Sequence, residues 1–423
     1  MTFGIHPYFR IPSNGFRLSP KLLIRSDEKN TASLIEMFHD QLAVQAETDF
    51  RVERLATFDE YLEQDRSLGR EGQRNIFQQV DFLQAWLASF GHREDVEPLL
   101  LRIAEASTGR LVMLLPLIIW TNQGVRTIEF ADLGSIDYNA PILSNFAPKD
   151  PIASESMWQA IKRALPAADI IRLEKMPFKI GDHINPFVLC NHKQDCRFFG
   201  QRFDTGGNWD TYIRTKNPKF AKDTRRRRRR LAEIGEVEFK QITDNEEAET
   251  CLLDLNRMQK DRLEEAGRSH NLDEFAYQLF YRKMLLENME NGKVRLFSLC
   301  VDNEIVALLY GISMGDEFSV LRITHAGKDW NNCSPGRLII VETIQLLENE
   351  GFRNFDLTIG DYYFKERFRP DKYNLYALTE ALSPIGKMVL LGNRFRSIFK
   401  KGLNQFWKSA ESTVAKSRLF DPT

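Results

Sequence analysis

At 423 residues, with 43% hydrophobic and 28% charged side chains, the chain is long enough to bury more than one core and is too apolar to be globally disordered. A formal charge of −1 excludes a whole-molecule field for nucleic acid or anionic lipid, so any such attraction must come from local clusters. Five cysteines, Cys190, Cys196, Cys251, Cys300 and Cys333, point to reduced thiols rather than a disulfide framework, and the longest apolar stretch, 111–120, contains Pro116 and is half of the ~20 residues a membrane span needs.

Residues 1–30 are rich in Pro, Ser, Asn and charge and read as an N-terminal extension. Residues 1–10 lack the basic start and apolar run of a secretory signal, so a cytoplasmic location is expected. Apolar residues at helical spacing predict helices at 31–46 and 75–89, the second carrying Ile76, Phe77, Val80, Leu83 and Leu87. Strand-like runs follow at 98–104, 110–120 and 126–130, separated by turn residues. A helix at 156–164 and strands at 170–173 and 186–190 complete an α/β domain over 31–205. The Thr-Gly-Gly-Asn stretch at 205–208 is the clearest boundary, and a basic linker helix is expected over 206–235, with its helical core at 217–233.

The same plan then recurs. A strand at 237–242, helices at 246–266 and 273–288, strands at 294–301, 305–313 and 318–325, a helix at 337–350 and a strand at 355–359 make a second domain, 236–385. Tight turns are expected at Asp302-Asn303-Glu304 and Met314-Gly315-Asp316. The expected fold is therefore α/β (α+β), two domains in tandem, each a mixed and mainly antiparallel sheet flanked by helices.

The most informative stretch is 325–337, a strand end passing through a small-residue loop, Ser334-Pro335-Gly336, into a helix that carries Arg337. A helix N-terminus offers unpaired amides and a positive dipole end, Gly336 admits close approach to the backbone, and Arg337 adds charge, so this geometry suits a pyrophosphate. The same residues also spell an ordinary turn, with Ser334 as cap and Pro335 at the first helical position.

The ordered run of three strands, loop, amphipathic helix and strand resembles the GNAT acyltransferase superfamily. Ser334-Pro-Gly-Arg-Leu338, Gly351-Phe-Arg-Asn-Phe-Asp356, Gly360-Asp361 and Tyr363-Phe-Lys365 resemble, more closely, the CelD/BcsL-type acetyltransferases of cellulose and exopolysaccharide production. That family is related in fold to the Fem-type peptidyltransferases, which set two GNAT-like domains in tandem. The loop departs from the full glycine-rich pyrophosphate motif of simple GNAT enzymes.

The resemblance implies acetyl-CoA or another acyl-CoA as donor, no metal, and an amine, hydroxyl or glycan acceptor. It places the thioester carbonyl against backbone amides near Thr324, His325 and Ala326, and the cofactor on Ser334, Gly336, Arg337 and Lys365. His325, Asp361 and Asp356 are the candidate bases, and Tyr362 or Tyr363 the candidate acid for the leaving thiolate. Asp137, Tyr138 and Arg262 are the candidate acceptor contacts.

Two basic segments stand apart. Arg225 to Arg230 is an unbroken run of six arginines, and 214–230 holds one acid, Asp223. Six successive helical positions cover every face, so some of these side chains must meet carboxylates or an anionic ligand: CoA phosphates, an anionic polymer or lipid, or RNA. The tail, 386–423, interleaves Phe395, Phe399, Leu403, Phe406 and Trp407 with basic residues, a pattern for peripheral contact with the inner face of a membrane or for packing on its own domain. The arginine run also admits a Fem-like rival in which aminoacyl-tRNA is the donor, and a second rival in which the module binds polyanions without catalysis. His183, Cys190, His192 and Cys196 lack the spacing of a zinc knuckle, and no metal is expected there.

Overall fold

The computed structural model describes residues 49–393 apart from Ala266 and Ser269; the expected helix at 31–46 and most of the basic tail lie outside the described residues. In chain order the elements are β1 (Phe50–Leu55), α1 (Phe58–Leu68), α2 (Val80–Phe90), β2 (Val96–Glu105), β3 (Leu111–Asn122), β4 (Val125–Phe130), β5 (Ile142–Leu143), α3 (Pro151–Ala164), β6 (Ile170–Pro177), β7 (Lys179–Ile180), β8 (His183–Ile184) and β9 (Lys193–Asp204). There follow α4 (Trp209–Lys216), α5 (Pro218–Ala232), β10 (Val237–Ile242), α6 (Asn245–Glu265), α7 (Phe275–Asn288), β11 (Val294–Val301), β12 (Glu304–Met314), β13 (Glu317–His325), α8 (Pro335–Asn349), β14 (Asn354–Asp356), α9 (Tyr363–Glu366) and β15 (Asp371–Ala381).

Among the described residues one sheet runs in the order β1-β2-β3-β4-β6-β15-β9-β14-β13-β12-β11-β10, with β5 against β3. Its two wings repeat one design. In each, four antiparallel strands are followed by a helix and a fifth strand laid parallel to the fourth, β6 beside β4 and β14 beside β13. The wings are tied by an exchange: β9 pairs with β14, and β15, from the end of the described chain, reaches back to β6. β9 and β15 then join the wings through their own ladder.

Local chemistry explains the hairpins. Asp302 and Asn303 both hold positive φ, 48° and 69°, the turn that matches the twist of β11 and β12, and Gly315 at 61° does the same between β12 and β13. The expected strand at 186–190 is instead a single 3-10 turn, Pro186–Leu189, because Pro186 lacks an amide for a ladder and the Asn185 side chain accepts from Phe187 N. Helix α2 starts later than its apolar pattern, since Asn75 caps a separate short turn, Ile76–Gln78, first.

The wings dock through equivalent helices. Phe90 of α2 meets Tyr277 edge-on at 4.9 Å and Phe280 at 5.9 Å, both from α7. Each such ring pair adds ~0.5–1.5 kcal/mol beyond the area it buries. Helices α6 and α7 cover one face of the C-terminal wing, over Leu296, Leu308 and Tyr310; α5 and α8 cover the other, over Phe297, Leu299 and Leu309. Among the described residues no helix is long and apolar enough to cross a membrane.

Candidate active site

β13 and β14 pair over only three positions, Glu317 to Asn354, Phe318 to Phe355 and Ser319 to Asp356. Beyond these β14 turns away, led by Thr358 at φ 60° and Gly360 at φ 105°. The departure is held by named bonds: Leu357 N to Gln201 O at 2.7 Å, Thr358 N to Asp356 Oδ1 at 2.6 Å, Thr358 Oγ1 to Val320 O at 3.1 Å, and Gln201 Nε2 to Gly360 O at 2.8 Å. The far half of β13 therefore borders a gap.

Strand register decides which groups face it. Ala326 N donates to Val306 O at 2.9 Å and Thr324 lies opposite Leu308, so alternation along the antiparallel ladder commits the amides of Thr324 and Ala326 to β12. This corrects the expectation of three donors at 324–326. The amides of His325 and Ile323 point away from β12, toward the gap.

The His325 imidazole lies on the α8 side. A β-carbon on Gly336 would come within 2.6 Å of its Cδ2, so the glycine admits the imidazole, and the expected room there for a phosphate is taken. Burial lowers the His325 pKa below its ordinary value, and Nδ1 lies 2.9 Å from Ala326 O, which places the proton on Nδ1 and leaves Nε2 as acceptor. Arg262 of α6, an exposed residue, adds to the depression.

The start of α8 is uncapped. Ser334 adopts a left-handed conformation, φ 53°, and its side chain accepts no helix amide, so the expected cap is absent. In the N-terminal wing the equivalent helix α3 is closed by Asp150, whose carboxylate accepts from Ile152 N and Ala153 N. A carboxylate thus occupies in α3 the position that no side chain fills in α8, where Arg337 N turns to Ser334 O at 3.0 Å instead. Arg337 turns from the helix start to Asp223 at 2.6 Å, which also meets Arg226 at 2.6 Å, Arg227 at 3.2 Å and Arg367 at 3.5 Å. Burial opposes ionisation of Asp223, but hydrogen bonds from Arg337, Arg226 and Arg227 outweigh it and hold the carboxyl far below the usual range. Four guanidinium groups on one carboxylate leave a net positive cluster beside α8.

Beneath the gap lies a group of ionisable residues from both wings. Asp356 is buried and accepts from Tyr138 Oη at 2.8 Å and Tyr373 Oη at 2.7 Å. With both oxygens engaged and burial raising its pKa, Asp356 is a structural anchor and not the accessible base expected of it. Tyr138 is likewise spent, its hydroxyl donated to Asp356 and its ring buried. Asp137 is different: the residue is only partly covered, and burial of its carboxyl raises it to about 6 against the pull of Lys175, Thr358 and Lys365. Lys365 is buried, donates to Ile359 O at 2.6 Å and Thr358 O at 3.3 Å, and is lowered by burial to about 8. It holds the loop that opens the gap, where a cofactor contact had been expected.

Asp361 lies outside this group: its side chain is 65% exposed, 3.9 Å from Lys372. Tyr363 is exposed as well, and Tyr362 lies half in solvent with Lys365 and Arg268 over its ring. Tyr373, Thr358 and Gln201 escaped the sequence reading, because their roles depend on the pairing of β15 and β9 with strands far off in sequence. Glu264, His270 and Asp273 bring donor atoms within 4.8 Å of one another, but Lys260, 3.0 Å from Asp273 and 3.9 Å from Glu264, already supplies a cation there.

The fold is thus a mixed α/β structure of GNAT type, present twice in one chain. Residues 218–366 match the family described as "Acetyltransferase (GNAT) domain". A search of curated proteins gave no match in sequence. Among solved structures, FemX superposes with a TM-score of 0.50 at 10% identity, covering 77% of this chain and 96% of its own. A tandem GNAT protein from the clavulanic acid biosynthesis pathway gives 0.45 at 13% identity, covering 79% and 99%. L-PGS from Bacillus licheniformis gives 0.43 at 14%, covering 74% and 95%. At such identities the likeness concerns the fold.

Proposed function

We propose that this protein transfers an acyl group from acyl-coenzyme A to an amine or hydroxyl acceptor. The observation that carries this reading is the parting of β13 and β14 beside an uncapped α8, which leaves the His325 amide facing a gap over Asp137. The pyrophosphate lies beside the start of α8, off the Gly336 face that His325 fills, drawn by the positive cluster of Arg337, Arg226, Arg227 and Arg367, and the thioester oxygen lies on the His325 amide, where charge develops in the tetrahedral intermediate. The acceptor nitrogen or oxygen attacks the thioester carbon and the C–S bond breaks. The acceptor proton passes to Asp137, whose value of about 6 suits a base at neutral pH. The leaving thiolate takes a proton from solvent or from the Tyr362 phenol at the rim.

The CelD/BcsL resemblance supports a glycan or envelope precursor as acceptor, reached from the side of Arg262 and handled in the cytoplasm beside the membrane. Calorimetric titration of acetyl-CoA tests the donor. Wild type is expected to bind and Arg337→Glu to bind at least tenfold more weakly, while Asp137→Asn binds normally but releases no thiol in the presence of a competent acceptor. No binding by wild type would overturn the assignment.

A second donor is favoured by one feature, the exposure of Arg225, Arg226, Arg229 and Arg230 along α5. Aminoacyl-tRNA in place of acyl-CoA would show as steeply salt-dependent tRNA binding that acetyl-CoA does not displace.

A further inference from the structure

Away from the gap, on the outer helical layer, an open pocket of about 380 Å³ lies among α4, α5 and α8. Its floor is apolar, formed by Trp209, Ile213, Phe220 and Val341, and its wall carries Arg214, Thr224, Arg225 and Arg228. Val341 and Gln345 lie about 1.7 and about 2.8 turns along α8 from the helix start that faces the proposed donor.

Two hydrogen-bonding groups of this wall are buried without a partner among the described residues: Thr224 Oγ1, on a residue only 6% exposed, and Arg228 Nε. A threonine in a helix ordinarily returns its hydroxyl to a carbonyl one turn back, and a buried donor left without a partner is a cost to the fold. Nη2 of Arg228 is engaged, with Glu342 at 2.5 Å and Gln345 at 2.9 Å, which orients the guanidinium plane and with it the free Nε–H. Arg214 is neutralised by Asp210 at 2.9 Å. Arg225 lines the same pocket, and no carboxylate meets it among the described residues.

We propose that this pocket binds a phosphoryl group, held by Thr224 Oγ1, Arg228 Nε and the Arg225 guanidinium. Three donors from two adjoining turns of one helix match the several oxygens of a tetrahedral anion better than the two of a carboxylate, and the charge of Arg225 supplies the balance. The run of arginines thereby divides into three duties. Arg226 and Arg227 serve the Asp223 cluster beside α8, Arg225 and Arg228 serve this pocket, and Arg229 and Arg230 face solvent. The phosphoryl group belongs either to a soluble phosphate ester or to a lipid headgroup, since the apolar floor accommodates an attached carbon chain or ring.

The test is calorimetric titration of inorganic pyrophosphate into the full chain saturated with acetyl-CoA, at constant ionic strength, with Thr224→Val and Arg225→Ala alongside wild type. Saturation removes the donor site from the measurement; should acetyl-CoA not bind, the same titration without it still reads this pocket, with Arg337→Glu as the control for the α8 start. Wild type is expected to bind, Thr224→Val about three- to tenfold and Arg225→Ala at least about tenfold more weakly, both keeping wild-type acetyl-CoA affinity. Sedimentation with vesicles of phosphatidic acid in phosphatidylcholine separates the sources. Binding that Thr224→Val weakens and pyrophosphate displaces identifies a lipid headgroup, and pyrophosphate binding without vesicle binding identifies a soluble ester. Absence of both in wild type, with water filling the two donors, would overturn the proposal, as would anion binding that neither substitution weakens.

Discussion

The imidazole of His325 occupies the space that a side chain on Gly336 would need, so the last residue of β13 and the second of α8 are fitted to each other. The fit fixes the angle at which α8 leaves the sheet, and with it the direction of the uncapped amides. Gly336→Ala is expected to lower stability by about 1–3 kcal/mol, the range for overpacking a buried site. Combining it with His325→Ala should recover part of that loss, a coupling that urea unfolding of the single and double variants measures directly.

Asp137 sets a pH dependence whose sign is fixed. Its folded value, about 6, lies above the ordinary 3.8, and Glu317 is raised by burial to about 7 from 4.5. Between the ordinary and the folded values the native state holds protons that the unfolded chain has lost, so stability falls as pH rises from about 4 to about 7. Asp137→Asn removes its share of that penalty. It is expected to raise stability at pH 8 by on the order of 1–2 kcal/mol, with little change at pH 4, while abolishing acyl transfer. Thermal unfolding at the two pH values checks it; equal effects at both would show that Asp137 ionises normally.

Asp223 behaves in the opposite sense. Its carboxyl is held far below 3.8, so the stability it confers is complete above that value and is lost only as pH falls below it. Asp223→Asn leaves Arg226, Arg227, Arg337 and Arg367 without their common counter-charge, and a loss of roughly 2–4 kcal/mol at neutral pH is expected. Added sulfate should restore part of it, since an anion can take the vacated place; denaturant midpoints with and without sulfate provide the readout.

Arg322 is a buried cation on β13 whose partners are neutral: Gln259 at 2.6 Å, Asn256 at 2.9 Å and the Tyr281 ring at 4.4 Å. Desolvation lowers its pKa, and its Nη1 has no partner among the described residues. Arg322→Met, similar in volume and uncharged, is therefore expected to leave stability unchanged or raise it by about 1–2 kcal/mol. Chemical denaturation tests this, and a loss above about 2 kcal/mol would mean that the guanidinium has an anionic partner in solution.

Much of the fold was legible along the chain. In the C-terminal wing the order of two helices, three strands, helix and strand follows from local periodicity, whereas β1 and α1 at 50–68 escaped it in the N-terminal wing; Asp302-Asn303 and Gly315 mark hairpins by their own backbone preferences. The loop at 334–337 was legible as a place, because Pro335 and Gly336 punctuate the chain. Its detail was not: whether Gly336 leaves room for a phosphate depends on His325, and whether Thr324 and Ala326 have free amides depends on their register with β12.

What the sequence determined by itself is the set of elements, the doubling of the plan, the GNAT-like stretch and the uncompensated arginines, all of which arise from propensities and spacing within a few residues. The tertiary structure alone decided that β9 and β15 cross between the wings, that Asp356 is locked by Tyr138 and Tyr373 while Asp137 is only partly covered, and that the arginines divide between a shared carboxylate and a pocket. Those outcomes turn on burial and on which distant strand supplies a neighbour. Both are properties of the packed chain, and no window of sequence contains them.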